Sequence, residues 1–100
     1  MNFGGAIAAL KEGKKVSRMG WNGKGMYLFA FPGMKVSMTM GCELPDDLNF
    51  KHHLLKLQFD GSGDVEILPS IVMKTADNKV LVGWLASQTD MLSEDWVIVE

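Results

Sequence analysis

An α+β fold is what this sequence predicts: an antiparallel sheet with a packed N-terminal helix and a short helix before the last strand. Three observations carry the prediction. Phe3, Ala6, Ile7 and Leu10 follow the i, i+3, i+4, i+7 spacing of one helical face. Period-two alternation recurs in short runs from Lys15 onward, separated by Gly, Asp and Asn turns. Ser87-Gln88-Thr89-Asp90 has the form of a capping box, with Asp in place of the usual Glu or Gln. No linker, low-complexity tract or tandem repeat interrupts the 100 residues, so residues 1–100 are read as a single domain.

Asn2 is placed to cap a helix over 3–12. Gly13 is placed to end it in the left-handed conformation, with Lys11 and Lys14 near the negative end of its dipole. Lys15 to Met19 reads as a strand, with Val16 and Arg18 on one face and Ser17 and Met19 on the other. Gly20 to Gly25 holds three glycines and must be a loop. Met26 to Phe31 is apolar on both faces, so the helix is expected to cover one and a second subunit the other. Lys35 to Met40 alternates as a half-buried strand, whereas residues 41–53 fit neither period. Leu54 to Phe59 and Asp64 to Leu68 read as a hairpin around Asp60-Gly61-Ser62-Gly63, ended by Pro69. Ser70 to Thr75 and Lys79 to Trp84 read as another around Ala76-Asp77-Asn78. A short helix is expected from Gln88, and Trp96 to Val99 forms the last strand.

Composition narrows the function classes. A net charge of -2 argues against DNA or RNA binding, which favours a basic face. The start lacks a basic n-region, and no apolar run approaches the roughly 18 residues of a membrane span, so a cytoplasmic protein without membrane contact is expected. Cys42 is the single cysteine and forms no intrachain disulfide, which fits a reducing compartment. Five Phe, three Trp and eight Met are more bulk than so small a core hides alone, which again points to a homo-oligomer.

Few residues invite catalysis. His52 and His53 are adjacent and diverge on either a strand or a helix, so they do not chelate one metal. Cys42 has no base beside it in sequence. Asp46-Asp47 and Glu94-Asp95 lie in polar stretches and read as solvated. Gly20, Gly23 and Gly25 reverse the spacing of a dinucleotide fingerprint and are better read as a tight loop that lets a ligand approach the backbone. No catalytic residue, metal or cofactor is expected. The two tryptophan segments suggest binding instead, because a flat polar ligand needs a stacking surface and fixed hydrogen-bonding partners. Trp21 stands among Arg18, Asn22 and Lys24, which suit a diphosphate. Trp84 precedes Gln88, Thr89 and Asp90, which, with Thr75 and Asp77, could hold ribose hydroxyls and a base edge. For Asp90 the alternative is that it only completes the helix cap.

Longer runs carry a resemblance. They are Met1-Asn2-Phe3-Gly4-Gly5-Ala6-Ile7 through Lys11-Glu12-Gly13-Lys14-Lys15-Val16, Arg18-Met19-Gly20-Trp21-Asn22-Gly23-Lys24, Met73-Lys74-Thr75-Ala76-Asp77, and Trp84-Leu85-Ala86-Ser87-Gln88-Thr89-Asp90-Met91-Leu92-Ser93-Glu94-Asp95-Trp96. Over residues 1–33 and 71–99 the chain resembles the phage and prophage family of type 2 Thoeris anti-defence sponges, once catalogued as a domain of unknown function. The resemblance implies a small α+β protein that assembles as a homo-oligomer, typically a tetramer, with ligand pockets between subunits. It implies sequestration, without cleavage, of a cyclic ADP-ribose isomer made by TIR immune enzymes. Some members also bind cyclic dinucleotides at a separate site, which leaves that ligand as an alternative; a direct protein inhibitor of an immune enzyme is another.

Overall fold

The computed structural model describes residues 1–21, 25–36 and 65–100. The elements are α1 (Phe3–Lys11), β1 (Lys15–Arg18), β2 (Tyr27–Phe31), β3 (Met34–Val36), β4 (Val65–Ile67), β5 (Ser70–Lys74), β6 (Val80–Val82), α2 (Gln88–Leu92) and β7 (Trp96–Val99). The fold is α+β, as the sequence predicts. Two compact units are distinguished: Met1–Pro32 with Ser70–Glu100, and Gly33–Pro69.

In the first unit five antiparallel strands run in the order β6-β5-β2-β1-β7. The α1 helix starts where the Asn2 side chain accepts a hydrogen bond from the Gly5 N–H at 2.9 Å, satisfying one of the donors a helix start leaves free. It stops at Gly13, whose φ of +85° bends the chain so that Gly13 and Lys14 donate to the carbonyls of Leu10 and Ala9. Cross-strand partners share a face, and Val16, Leu28 and Met73 are paired in register. All three are buried with Ala6, Ala9 and Leu10 of α1 and with Trp96. That cluster is the core, and it is the helix-covered side expected for β2. On the other side Tyr27, Phe29 and Phe31 are half-buried, and the Tyr27 ring lies under the Lys15 ammonium, 4.9 Å from its centroid.

The β5–β6 hairpin turns through Ala76-Asp77-Asn78, with Asn78 at φ +63°, a conformation Asn tolerates better than most residues. Beyond β6 the N–H groups of Gly83 and Trp84 both donate to the Ile71 carbonyl, at 3.1 and 2.8 Å. This is a β-bulge, with Gly83 at φ +84° supplying the left-handed residue. Strict alternation would put Trp84 on the face of Val82, away from α1. The bulge turns it to the α1 side instead. Gly83→Ala is expected to cost about 1–2 kcal/mol through the left-handed backbone, read from a urea unfolding curve, and to shift near-ultraviolet tryptophan ellipticity.

In the second unit β3 pairs antiparallel with β4, Met34 opposite Ile67 and Val36 opposite Val65. Gly33 precedes β3 at φ +84°, and a Cβ there would meet the Ile67 carbonyl oxygen at 2.5 Å, so only glycine fits. The expected strand over 54–59, the distal part of the strand over 35–40 and the conformation of residues 41–53 lie outside the described residues. Among the described residues no helix is long and apolar enough to cross a membrane.

Candidate functional site

Three indoles meet beside the N-terminal ends of β7 and α2. Trp96 opens β7 and is buried; its ring contacts Trp21 at 5.5 Å between centroids and Trp84 at 6.3 Å, both edge-on. Trp21 and Trp84 are 6.3 Å apart at 65°, and both remain half-exposed. Edge-to-face contacts suit the ring quadrupole and hold each indole at a defined angle. The loop after β1 delivers Trp21, with its N–H donating to the Arg18 carbonyl at 3.2 Å; the bulge at Gly83 delivers Trp84.

An ionic frame fixes this cluster. Arg18 Nε donates to Asp95 Oδ1 at 2.9 Å and Arg18 Nη1 to Asp90 Oδ1 at 2.8 Å. Each remaining carboxylate oxygen is occupied as well. Asp95 Oδ2 accepts from the Gly20 N–H at 3.1 Å, and Asp90 Oδ2 accepts from the Ser87 N–H at 3.0 Å. The Ser87 hydroxyl accepts from the Asp90 N–H, completing the expected capping box. Finally Trp96 Nε1 donates to the Asp90 carbonyl at 3.0 Å, which joins the frame to the aromatic cluster.

The electrostatics follow from these contacts. Hydrogen bonds donated to Asp95 and then to Asp90 hold the Arg18 guanidinium above its ordinary value. The hydrogen bond from Arg18 holds the Asp95 carboxyl below the usual carboxylate range. For Asp90, burial pushes upward, but the Ser87 N–H, Arg18 and the Ser87 hydroxyl outweigh it and the net shift is downward.

The structure therefore brings Arg18, Trp21, Trp84 and Asp90 of the expected site residues together, and places Gln88 and Thr89 exposed in the first turn of α2. Asn22 and Lys24 lie outside the described residues. Thr75 and Asp77 shape their own turn: the Thr75 hydroxyl donates to Asp77 Oδ1 at 2.5 Å, and the Lys79 N–H donates to Thr75 Oγ1 at 2.9 Å. Asp77 is lowered by Thr75 and then Lys79. Glu94-Asp95, expected to be a solvated pair, is corrected at Asp95, whose side chain is a main partner of Arg18. Trp96 is the other residue that sequence reasoning left in the background. Its position opposite Arg18 in the β1–β7 register was the missing signal.

Fold and site together define a small α+β domain that presents two tryptophan rings on a rigid, charge-matched frame. The chain belongs to the Thoeris anti-defense 2-like domain family, whose model matches residues 1–99, including the middle segment that the motif resemblance left out. It is similar to a protein of Bacillus phage SP01 described as Thoeris anti-defense 2, with 39% identity over 99 residues, covering 99% of this chain and 94% of the relative. The family is one of phage anti-defence proteins.

Proposed function

We propose that the protein is a non-enzymatic sponge, acting in the host cytoplasm as an oligomer, with a tetramer favoured. In this reading it binds and sequesters, without cleaving, a cyclic ADP-ribose isomer made by TIR immune enzymes. The observation that carries the proposal is the pair of half-exposed indoles, Trp21 and Trp84, fixed on buried Trp96 in a chain of this family. One indole stacks on adenine. Asn22 and Lys24, next to Trp21 in sequence, meet the diphosphate; Gln88 and Thr89 meet ribose hydroxyls. Arg18 and Asp90, whose charges are already matched within the frame, hold the rings in place. Nanomolar capture needs about 12 kcal/mol of binding energy, which enclosure between subunits favours by burying more of the ligand.

Mass balance tests the proposal. The protein is incubated with TIR-made cyclic ADP-ribose, free ligand is filtered away, and the retained material is released by heat and chromatographed. Intact ligand recovered in proportion to protein is the expected result. New products would mean an enzyme, and ligand left in the free pool would mean another signal, such as a cyclic dinucleotide, or a protein partner. Trp21→Ala is expected to weaken capture at least tenfold, about 1.4 kcal/mol, with the oligomer unchanged by light scattering.

A further inference from the structure

The connection from β1 to β2 carries Trp21, and each of its ends is tied sideways to a neighbouring strand. At its start, Asp95, which leads into β7, holds two successive residues. The Asp95 carbonyl accepts from the Met19 N–H at 3.0 Å, and its carboxylate accepts from the Gly20 N–H at 3.1 Å. At the far end the regular pairing gives out. The β2–β5 ladder closes with Tyr27 opposite Lys74, so Gly25 lies beyond it. Lys74 reaches past that pair, and its Nζ donates to the Gly25 carbonyl at 3.0 Å.

A lysine at a strand end is ordinarily a hydrated charge on a flexible stem. Here the stem is directed. Cross-strand partners share a face, so Lys74 lies beside Tyr27, and its ammonium is 5.7 Å from the Tyr27 ring centroid, inside cation–π range. Lys15 brings a second ammonium to within 4.9 Å of the same centroid. The Gly25 carbonyl gives the Lys74 charge an acceptor of its own. With β5 beside β2 and β7 beside β1, Lys74 and Asp95 hold the connection from opposite flanks. We propose that Lys74 is a positioning residue, which fixes the Gly25 end of this connection before ligand arrives; for the ligand itself this rests on the sponge reading above. Its effect on capture is preorganisation, because a backbone already held in place loses less freedom on binding.

Lys74→Met keeps a long unbranched stem and removes the donor, whereas Lys74→Arg restores one. Hydrogen exchange without ligand, read on peptides spanning residues 20–26, reports the tether directly. Lys74→Met is expected to exchange there about fivefold faster than wild type, as loss of one charge-assisted hydrogen bond predicts. Lys74→Arg is expected to stay near the wild-type rate. The thermal midpoint of Lys74→Met is expected to stay within about 3 °C of wild type, since no core contact is lost. Kd for TIR-made cyclic ADP-ribose is expected to rise roughly threefold or more in Lys74→Met, as the competent fraction falls, and to recover in Lys74→Arg. Unchanged exchange in Lys74→Met would overturn the proposal, and weakened capture beside it would make Lys74 a ligand contact instead. Faster exchange with unchanged capture, or a Lys74→Arg protein as loose as Lys74→Met, would equally overturn it. A wild type that retains no ligand would sink the sponge reading alone, because exchange judges the tether without ligand.

Discussion

Trp96→Ala is expected to lower the unfolding free energy by about 3–5 kcal/mol, the range for deleting a large buried ring from a packed core. The indole is 1% exposed and touches Phe3, Trp21 and Trp84, so its removal opens a cavity on several sides at once. For a domain of this size, whose whole stability is of order 5–10 kcal/mol, that approaches unfolding. Trp96→Phe separates two parts of the effect. It keeps much of the volume but leaves the Asp90 carbonyl without the Nε1–H donor now 3.0 Å away, which costs about 1–2 kcal/mol. Urea titrations of both variants check the order. If Trp96→Ala costs less than Trp96→Phe, the ring is not the keystone of the cluster.

Arg18→Gln is expected to reduce the thermal midpoint by on the order of 5 °C or more at neutral pH, and to weaken ligand capture through displacement of Trp21. The change leaves two carboxylates facing the place of the lost cation, with side chains only 14 and 33% exposed. Opposing negative charges at such positions are poorly compensated by water. Acid supplies the discriminating readout. Asp90 and Asp95 are both held below their ordinary value of 3.8. Their contribution to stability is therefore complete above that value, and is lost as pH falls through the lower folded-state values. In Arg18→Gln the depression is weakened. The gap in midpoint between wild type and variant should narrow as pH drops from about 7 towards 3. A gap that is constant with pH would mean that Arg18 stabilises by packing of its stem alone.

Local chemistry made the two helices readable in advance. Asn2, Gly13 and the Ser87–Asp90 pair act within a few residues of themselves, so their contacts are written in short spacings. Strand alternation was equally local: it separated the face of Val16 and Leu28 from that of Tyr27 and Phe29, and it located the hairpin around Asp77. The α+β class follows from such signals, because each depends on neighbours along the chain rather than on the rest of the fold.

The site was legible only as two tryptophan-bearing segments. Arg18 meets Asp90 and Asp95 across 72 and 77 positions of sequence, and no periodicity predicts which carboxylate an arginine will find. Strand order made that choice. By laying β7 beside β1 with Trp96 opposite Arg18, it brought the guanidinium onto both carboxylates. The bulge at Gly83 likewise carried Trp84 across the sheet to the core, against the alternation of its own strand. What the sequence determined by itself was the two helices and the strands of the five-stranded sheet, since caps, turns and alternation act over a few residues. Only the tertiary structure decided which side chains are already matched to one another, because long-range pairing depends on sheet register, and register belongs to the whole fold.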